Sequence, residues 1–241
     1  MIQLYHVIFY QPLFNVLIFF YNTIPGHDLG LAIVALTALL RVILYPFSLS
    51  SIRSQKKLQD LQPKVEEVRN RFKGQNDRIA KELMTLYNQE RVNPFSSCLP
   101  LIVQLPFLIA LYRVFQAGLQ HPDFSLLYSF INHPGTINHV SLGFLDLAMP
   151  SIVLAILAAI SQYVQTAMLP IQPPAIRSSE SKDEQVSVTM NKHMRVAMPM
   201  MTILIGARLP AGLTMYWFIS TLIQVLQQWI VFRPTKTVPV V

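Results

Sequence analysis

The sequence predicts an all-α integral membrane protein with five transmembrane helices. Of its 241 residues, 52% are apolar and only 13% are charged, and the mean hydropathy is +0.41. A soluble domain usually carries about 25% charged residues. The apolar residues gather in long runs, and most charged residues lie in a few segments between them. The chain holds one cysteine, Cys98, so a disulfide framework within the chain is excluded.

The N-terminal part predicts an external segment over residues 1–28 and a first span over 29–51. Residues 1–28 contain no Lys or Arg, and a secretory signal needs a basic start, so no signal peptide is expected. Residues 12–24 are apolar and aromatic and are followed by Pro-Gly, which favours a short helix lying at the membrane interface. The first span carries a single formal charge, Arg41.

Arg41 is the residue from which the functional prediction starts. A helix rises about 1.5 Å per residue, so Arg41 lies roughly 18 Å from Leu29, near the midplane of a hydrocarbon layer about 30 Å thick. An arginine there costs on the order of 2.5–3.5 kcal/mol on insertion scales. Snorkelling or a buried ion pair is the alternative, but no Asp or Glu lies within any predicted span. Thr37 precedes Arg41 by one turn, and we expect both to face a wet pocket.

Residues 52–96 predict a charged helical hairpin in water, with ten Lys and Arg against six acidic residues. Two stretches of apolar residues recur at helical spacing. They are Leu58, Leu61, Val65, Val68 and Phe72 in the first, and Ile79, Leu83 and Leu86 in the second. Between them, Gly74 to Asp77 supplies a helix stop and an N-cap. Pro63 is expected either to kink the first helix or to mark its late start.

The rest of the chain alternates apolar spans with polar connections. The predicted elements are a second span over 97–116, an external loop over 117–146, a third span over 147–169, a cytoplasmic loop over 170–195, a fourth span over 196–209, a fifth span over 210–232 and a cytoplasmic tail over 233–241. The fourth span is short for a crossing. We expect Arg195 and Arg208 to snorkel at its ends, with a locally thinned bilayer.

The basic residues predict the orientation. The segments 52–96, 170–195 and 233–241 hold sixteen of the 19 Lys and Arg residues. Basic residues favour the cytoplasmic side, so the N-terminus is placed outside and the C-terminus in the cytoplasm. The placement of basic residues on the cytoplasmic side therefore explains most of the net charge of +7, and no DNA binding is predicted. The hairpin remains available to ribosomal RNA or anionic lipid.

Five stretches, in order, resemble the YidC/Oxa/Alb family of membrane protein insertases, in particular a short bacterial YidC-type member. They are Q-P-L-F (11–14), T-A-L-L-R-V-I-L-Y-P (37–46), L-Q-P-K (61–64), V-N-P-F-S-S-C-L-P-L-I-V-Q-L-P-F-L-I-A-L-Y (92–112), and M-P (198–199) leading to L-P-A-G-L-T-M-Y-W-F-I-S (209–220). The family's five-span core and charged cytoplasmic hairpin agree with the elements predicted from the residues. Arg208 departs from the pattern, since an apolar or aromatic residue is expected there.

The resemblance implies a hydrophilic groove that is open to the cytoplasm and to lipid but closed toward the outside. Arg41 matches the arginine inside that groove, and Thr37 matches its neighbour. On the last span, Tyr216, Trp217 and Ser220 match positions along which the client helix slides; interface-belt or packing roles are the alternative for Tyr216 and Trp217.

Four amides within the spans are further candidates for lining the groove. They are Gln104, Gln162, Gln165 and Gln224. The alternative is that each one only hydrogen-bonds a neighbouring helix, which is worth roughly 0.6 kcal/mol.

The predicted function is insertion and chaperoning of newly made membrane proteins in the bacterial cytoplasmic membrane. The expected partners are nascent membrane protein clients, the ribosome through weak contacts of the cytoplasmic loops, membrane lipid, and the Sec translocon where the protein does not act alone. A small solute or anion transporter or channel, using Arg41 as an anion site, is the main alternative. A purely structural assembly factor is the third.

Enzymatic motifs are missing from the sequence. It contains no G-x-S-x-G, no H-E-x-x-H, no P-loop and no Gly-rich dinucleotide turn. We therefore predict no catalytic residue and no cofactor. His121, His133 and His139 fall in the external loop, but their spacing is too loose to predict a metal site.

Overall fold

The computed structural model describes residues 2–93, 99–116, 123–168 and 196–232. Most of the described residues are helical, which confirms the all-α class. The helices are α1 (Ile2–Tyr5), a π-helical turn (His6–Tyr10), α2 (Gln11–Thr23), α3 (Leu29–Ile43), α4 (Tyr45–Asp60), α5 (Gln62–Arg71), α6 (Asn76–Gln89), α7 (Leu99–Gln116), a 3₁₀ turn (Phe124–Leu126), α8 (Ile152–Ala167), α9 (Val196–Gly206) and α10 (Ala211–Phe232). Two short antiparallel strands, β1 (Val140–Ser141) and β2 (Leu145–Asp146), form a hairpin.

The first predicted span, 29–51, is divided into two helices. The helices α3 and α4 meet at Leu44 at an angle of 65°. Pro46 occupies the first turn of α4, where its missing N–H is tolerated but would break a continuing helix. Arg41 consequently lies in the last turn of α3, rather than near the middle of one straight span.

The N-terminal helix is packed over much of its length. Helix α2 covers the predicted interfacial stretch, and helical structure extends back to Ile2. Leu17 and Ile18 are fully buried against a core shared with α3 and α7. Asn15 is also buried, and its side chain bonds the carbonyl of Leu126 and the N–H of Tyr128. A buried amide with both ends satisfied fixes the segment that contains Leu126 and Tyr128 against α2. The position of α2 at the membrane interface stays a prediction.

The charged segment forms the predicted helical pair, α5 and α6. Val65, Ile79 and Leu83 form its small core, as the apolar spacing predicts. Leu58 and Leu61, which the spacing places on the same stripe, instead pack against Val92 in a separate cluster. Pro63 lies in the first turn of α5, so it marks a helix start, which is one of the two expected outcomes. Gly74 has a φ of +83°, which a glycine adopts without strain at the end of a helix.

The later helices differ in length from the predicted spans. Helix α8 starts at Ile152 rather than 147, because Ser151 caps it and Pro150 bridges to Pro210. Helix α9 is short, as predicted, and ends at Gly206. The predicted cytoplasmic loop and tail, Cys98, His121 and Arg195 lie outside the described residues.

Large apolar side chains on the described helices face outward. Among them are Ile156, Ile160 and Val164 on α8, and Leu222, Leu226, Trp229 and Ile230 on α10. By length and apolarity alone, α10 passes as a membrane span, and α3 with α4 makes a second if the bent pair counts as one. Helices α8 and α9 and the apolar part of α7 are shorter. The number of five crossings stays a prediction.

Candidate functional site

Arg41 reaches from the end of α3 to the middle of α10. Its Nε donates a hydrogen bond of 2.9 Å to the hydroxyl oxygen of Ser220, and its Nη2 contacts the same oxygen. Ser220 is buried and Arg41 is half-buried. The bend at Leu44 places Arg41 at the end of a helix, where its long side chain can cross to a neighbour. One hydroxyl therefore accepts from two nitrogens of the guanidinium.

The charge of Arg41 has no acidic partner in the described part of the chain. The salt bridge found there joins Lys64 on α5 and Glu90 after the end of α6, at 2.5 Å. A guanidinium carries five N–H donors, and Ser220 engages only some of them. The remaining donors are available to water or to a bound anionic group. This arrangement can hold a carboxylate reversibly, since it offers charge and hydrogen bonds together.

Two further side chains extend the site toward α7. Tyr216 precedes Ser220 by one turn on α10, is buried, and lies close enough to Arg41 for an electrostatic interaction. Its hydroxyl accepts a hydrogen bond from the amide nitrogen of Gln104 on α7. Arg41, Gln104, Tyr216 and Ser220 thus connect α3, α7 and α10, and we call them the arginine cluster.

Thr37 lies outside the arginine cluster. Its side chain is fully buried, and its hydroxyl donates a hydrogen bond of 2.6 Å to the carbonyl of Ile33 on the same helix. A threonine inside a helix commonly bonds back to the carbonyl four residues earlier. The spacing from Thr37 to Arg41 therefore does not bring the two polar groups together here.

The other candidates occupy different places on α8 and α10. Gln162 accepts a hydrogen bond from the hydroxyl of Thr202 on α9, which matches the alternative of a bond between helices. Gln165 and Trp217 are half-buried, and Gln224 is buried one turn beyond Ser220.

A set of buried polar residues near the end of α10 was missed by the sequence reasoning. Gln228 is fully buried and both of its amide atoms lack a partner within the described residues. Gln55 on α4 is buried with an unpartnered amide oxygen. Between the same helices, Ser48 donates to Gln227 at 2.7 Å. The repeat of glutamines at 224 and 228 signals one polar helix face.

Known proteins share sequence with most of this chain. The family model of the "60Kd inner membrane protein" matches residues 19–237. A protein named "Membrane protein insertase YidC" from Clostridium tetani is 34% identical over 206 residues, which is 85% of this chain and 82% of that protein. Proteins of the same name from Geobacter metallireducens and Ralstonia nicotianae are 32% and 33% identical, over 90% and 86% of this chain.

The matched proteins differ in length from this chain. The chain spans 35% of the Geobacter metallireducens protein and 33% of the Ralstonia nicotianae protein. A solved structure described as "Active YidC insertase crystal structure with the first transmembrane domain resolved" aligns with a TM-score of 0.58 and 22% identity. That alignment covers 94% of this chain and 47% of the solved chain, and it supports the shared fold.

Proposed function

This chain belongs to the 60Kd inner membrane protein family, whose matched relatives are named YidC insertases, and we propose that it inserts newly made membrane proteins through a polar groove containing Arg41. The observation that carries the proposal is the half-buried guanidinium, bonded to Ser220 and without a carboxylate partner among the described residues. A membrane protein retains such a cation only where water or a polar partner receives it. The proposed role is non-enzymatic and needs no nucleotide.

In the proposed mechanism, the arginine cluster holds the acidic tail of a client while the tail crosses. Two unit charges about 4 Å apart attract by about 1 kcal/mol in water and by about 4 kcal/mol at an effective dielectric constant of 20. A membrane potential acts on one charge by about 2.3 kcal/mol per 100 mV. Because the two energies are of the same order, the potential can pull an acidic tail off Arg41 and outward.

The apolar helix of the client takes a separate path along the outer surfaces of α8 and α10. These helices expose Ile156 and Ile160 on α8 and Leu222 and Leu226 on α10. Trp217 is half-buried, so it is the more accessible of the two aromatic candidates. Tyr216, the preceding residue, is buried. We therefore assign it to supporting Ser220 and Gln104 rather than to direct client contact.

The remaining proposed assignments concern topology and partners. The hairpin of α5 and α6 presents Lys and Arg side chains on its surface, which supports a cytoplasmic position and weak ribosome contact. Nascent membrane proteins are the proposed clients, reached alone or with the Sec translocon. The groove is proposed to open to the cytoplasm and to lipid, with Gln224 and Gln165 at its wall.

Replacement of Arg41 tests the proposal directly. Arg41→Ala and Arg41→Lys are introduced in a strain depleted of its own insertase, and insertion of a small client with an acidic tail is measured. Arg41→Ala is expected to reduce insertion several-fold, and Arg41→Lys to restore most of it, because the required property is the charge. Arg208→Ala, at an exposed arginine in the turn before α10, is the matched control and is expected to behave as wild type.

A second client makes the experiment specific for electrostatics. Neutralising the acidic residues of the client tail is expected to abolish the difference in insertion between the wild-type protein and Arg41→Ala. Insertion of the acidic client by Arg41→Ala at the wild-type level would remove Arg41 from the mechanism. If Arg41→Ala reduced insertion of the acidic and the neutralised client equally, the result would contradict the Coulomb attraction and leave a structural role for Arg41.

A further inference from the structure

The β-hairpin of the external loop ends in an unusual turn. Residues Ser141, Leu142, Gly143 and Phe144 form it, and the N–H of Phe144 donates to the carbonyl of Ser141 at 3.3 Å. Leu142 has a φ of +54° and Gly143 a φ of +80°. Two consecutive positive φ angles are typical of a type I′ turn, whose first central position favours Asn, Asp or Gly. A leucine at that position adopts a backbone conformation that L side chains disfavour.

The hairpin is fixed tightly to the start of α3. The Asp28 carboxylate accepts a hydrogen bond of 2.6 Å from the Ser141 hydroxyl and one of 2.8 Å from the N–H of Leu142. Gly30 approaches so closely that a Cβ there would lie 2.2 Å from the Ser141 hydroxyl oxygen. The turn is therefore held in one place by hydrogen bonds and by contact with the helix.

The side chains at the turn are apolar and project away from the protein. Leu142 is 64% exposed and Phe144 is 79% exposed. An asparagine at 142 would suit the backbone better and would be solvated more favourably. A costly backbone conformation that presents an exposed apolar side chain indicates that the side chain meets something apolar.

The surroundings of the turn indicate a lipid surface. Met149, 62% exposed, lies between the hairpin and the first turn of α8, where Ile152 and Val153 are also exposed. In an inner membrane protein, an outward apolar helix face of this kind meets lipid. The hairpin lies at the same end of the fold. At its base, the N–H of Leu147 donates to the carbonyl of His139, and the carbonyl of Leu147 accepts from the N–H of Gly212 at the start of α10; the N–H of Ala211 in turn donates to the carbonyl of Met149.

We propose that Leu142 and Phe144 insert into the headgroup and acyl-chain boundary of the adjacent membrane leaflet and anchor the external loop there. Aromatic and aliphatic side chains are favourable at this depth. The loop segment 117–146 contains no Lys or Arg, so the anchor acts through apolar insertion and not through attraction to anionic headgroups. The proposal depends on membership in an inner membrane family and is independent of the role of Arg41.

Fluorescent labels at single cysteines test the anchor. In a Cys98→Ser background, Leu142→Cys, Phe144→Cys and the control Thr136→Cys are each labelled with a polarity-sensitive fluorophore. Thr136 is an exposed residue of the same loop, away from the turn. The full chain is reconstituted in liposomes of phosphatidylethanolamine and phosphatidylglycerol, with and without lipids brominated on the acyl chains. We expect blue-shifted emission and at least a twofold quenching at 142 and 144, and neither effect at 136.

Two results would overturn the proposal. Water-like emission without quenching at both 142 and 144 would show that the turn lies outside the bilayer. Blue-shifted emission without quenching by brominated lipid would show that a protein surface covers it. Folding is controlled by Leu142→Asn, which suits the positive φ and should melt at or above the wild-type temperature in detergent. The anchor predicts that a label at 144 is quenched less in this variant.

Discussion

Ser220→Ala distinguishes a hydrated arginine from a dry one. The substitution removes the acceptor that two nitrogens of Arg41 share. In a dry bundle, the loss of a hydrogen bond to a charged group costs about 1.5–3 kcal/mol, and stranding the charge adds to this. Where water has access, it replaces the hydroxyl, and the cost approaches the roughly 0.6 kcal/mol measured on average for side-chain hydrogen bonds in membranes.

Because Arg41 is half-buried and pairs with no carboxylate among the described residues, we expect the small value. The predicted decrease in the free energy of unfolding is below about 1 kcal/mol, following the hydrated limit. It can be measured by steric trapping or by reversible unfolding in mixed micelles or bicelles.

Thr221→Ala is the matched control for this measurement. Thr221 is the next residue on α10 and is buried, and its hydroxyl donates to the carbonyl of Trp217 at 2.9 Å. It therefore loses a neutral bond within one helix. A decrease of about 3 kcal/mol or more for Ser220→Ala, with little change for Thr221→Ala, would indicate a dry, stranded guanidinium. That result would refute the inference that water reaches Arg41.

Two further substitutions are predicted to change stability in opposite directions. Gln228→Leu is expected to raise the free energy of unfolding by about 1–2 kcal/mol in thermal or denaturant unfolding, because it removes a buried amide that lacks partners within the described residues; a decrease would show that the amide is satisfied by water. For Asp28, burial raises the pKa of the carboxyl, but hydrogen bonds from the Ser141 side chain and from backbone N–H groups outweigh it, so the pKa is lowered overall. A lowered folded-state pKa contributes stability above the unfolded-state pKa of about 3.9, which is lost as the pH falls through the folded-state value. The melting temperature of Asp28→Asn should therefore lie below wild type at pH 7, and the difference should shrink as the pH falls through the lowered folded-state pKa of Asp28; a difference that does not change with pH would contradict the assignment.

Helical periodicity predicted the parts of the fold that depend on local sequence. The spacing of Val65, Ile79 and Leu83 gave the core of the hairpin correctly, since each helix buries one stripe of its own residues. The short apolar stretch before Arg208 likewise forms a short helix. In both cases the apolar pattern that predicts the helix extends over about one helix length of sequence.

Tertiary contacts decided what periodicity could not. Pro46 is compatible with a kinked span or with the start of a new helix, and only the packing of α4 against α10 selects the bend. The spacing of Thr37 and Arg41 gives a shared helix face, but the core on α3 buries the threonine. Ser220 was expected from the family resemblance, whereas its hydrogen bond to Arg41 depends on residues 179 positions apart.

Helix α10 shows why the polar residues of the site need an explanation beyond packing. Its inner side carries Ser220, Gln224 and Gln228 at intervals of four, and its outer side carries exposed leucines and Trp229. In lipid, burial by itself provides no hydrophobic driving force between helices, so polar side chains stabilise the bundle only through hydrogen bonds. Of the three, only Ser220 bonds another side chain within the described residues. The fully buried amide of Gln228 has no hydrogen-bond partner within the described residues, which is why its replacement by leucine is expected to stabilise the bundle.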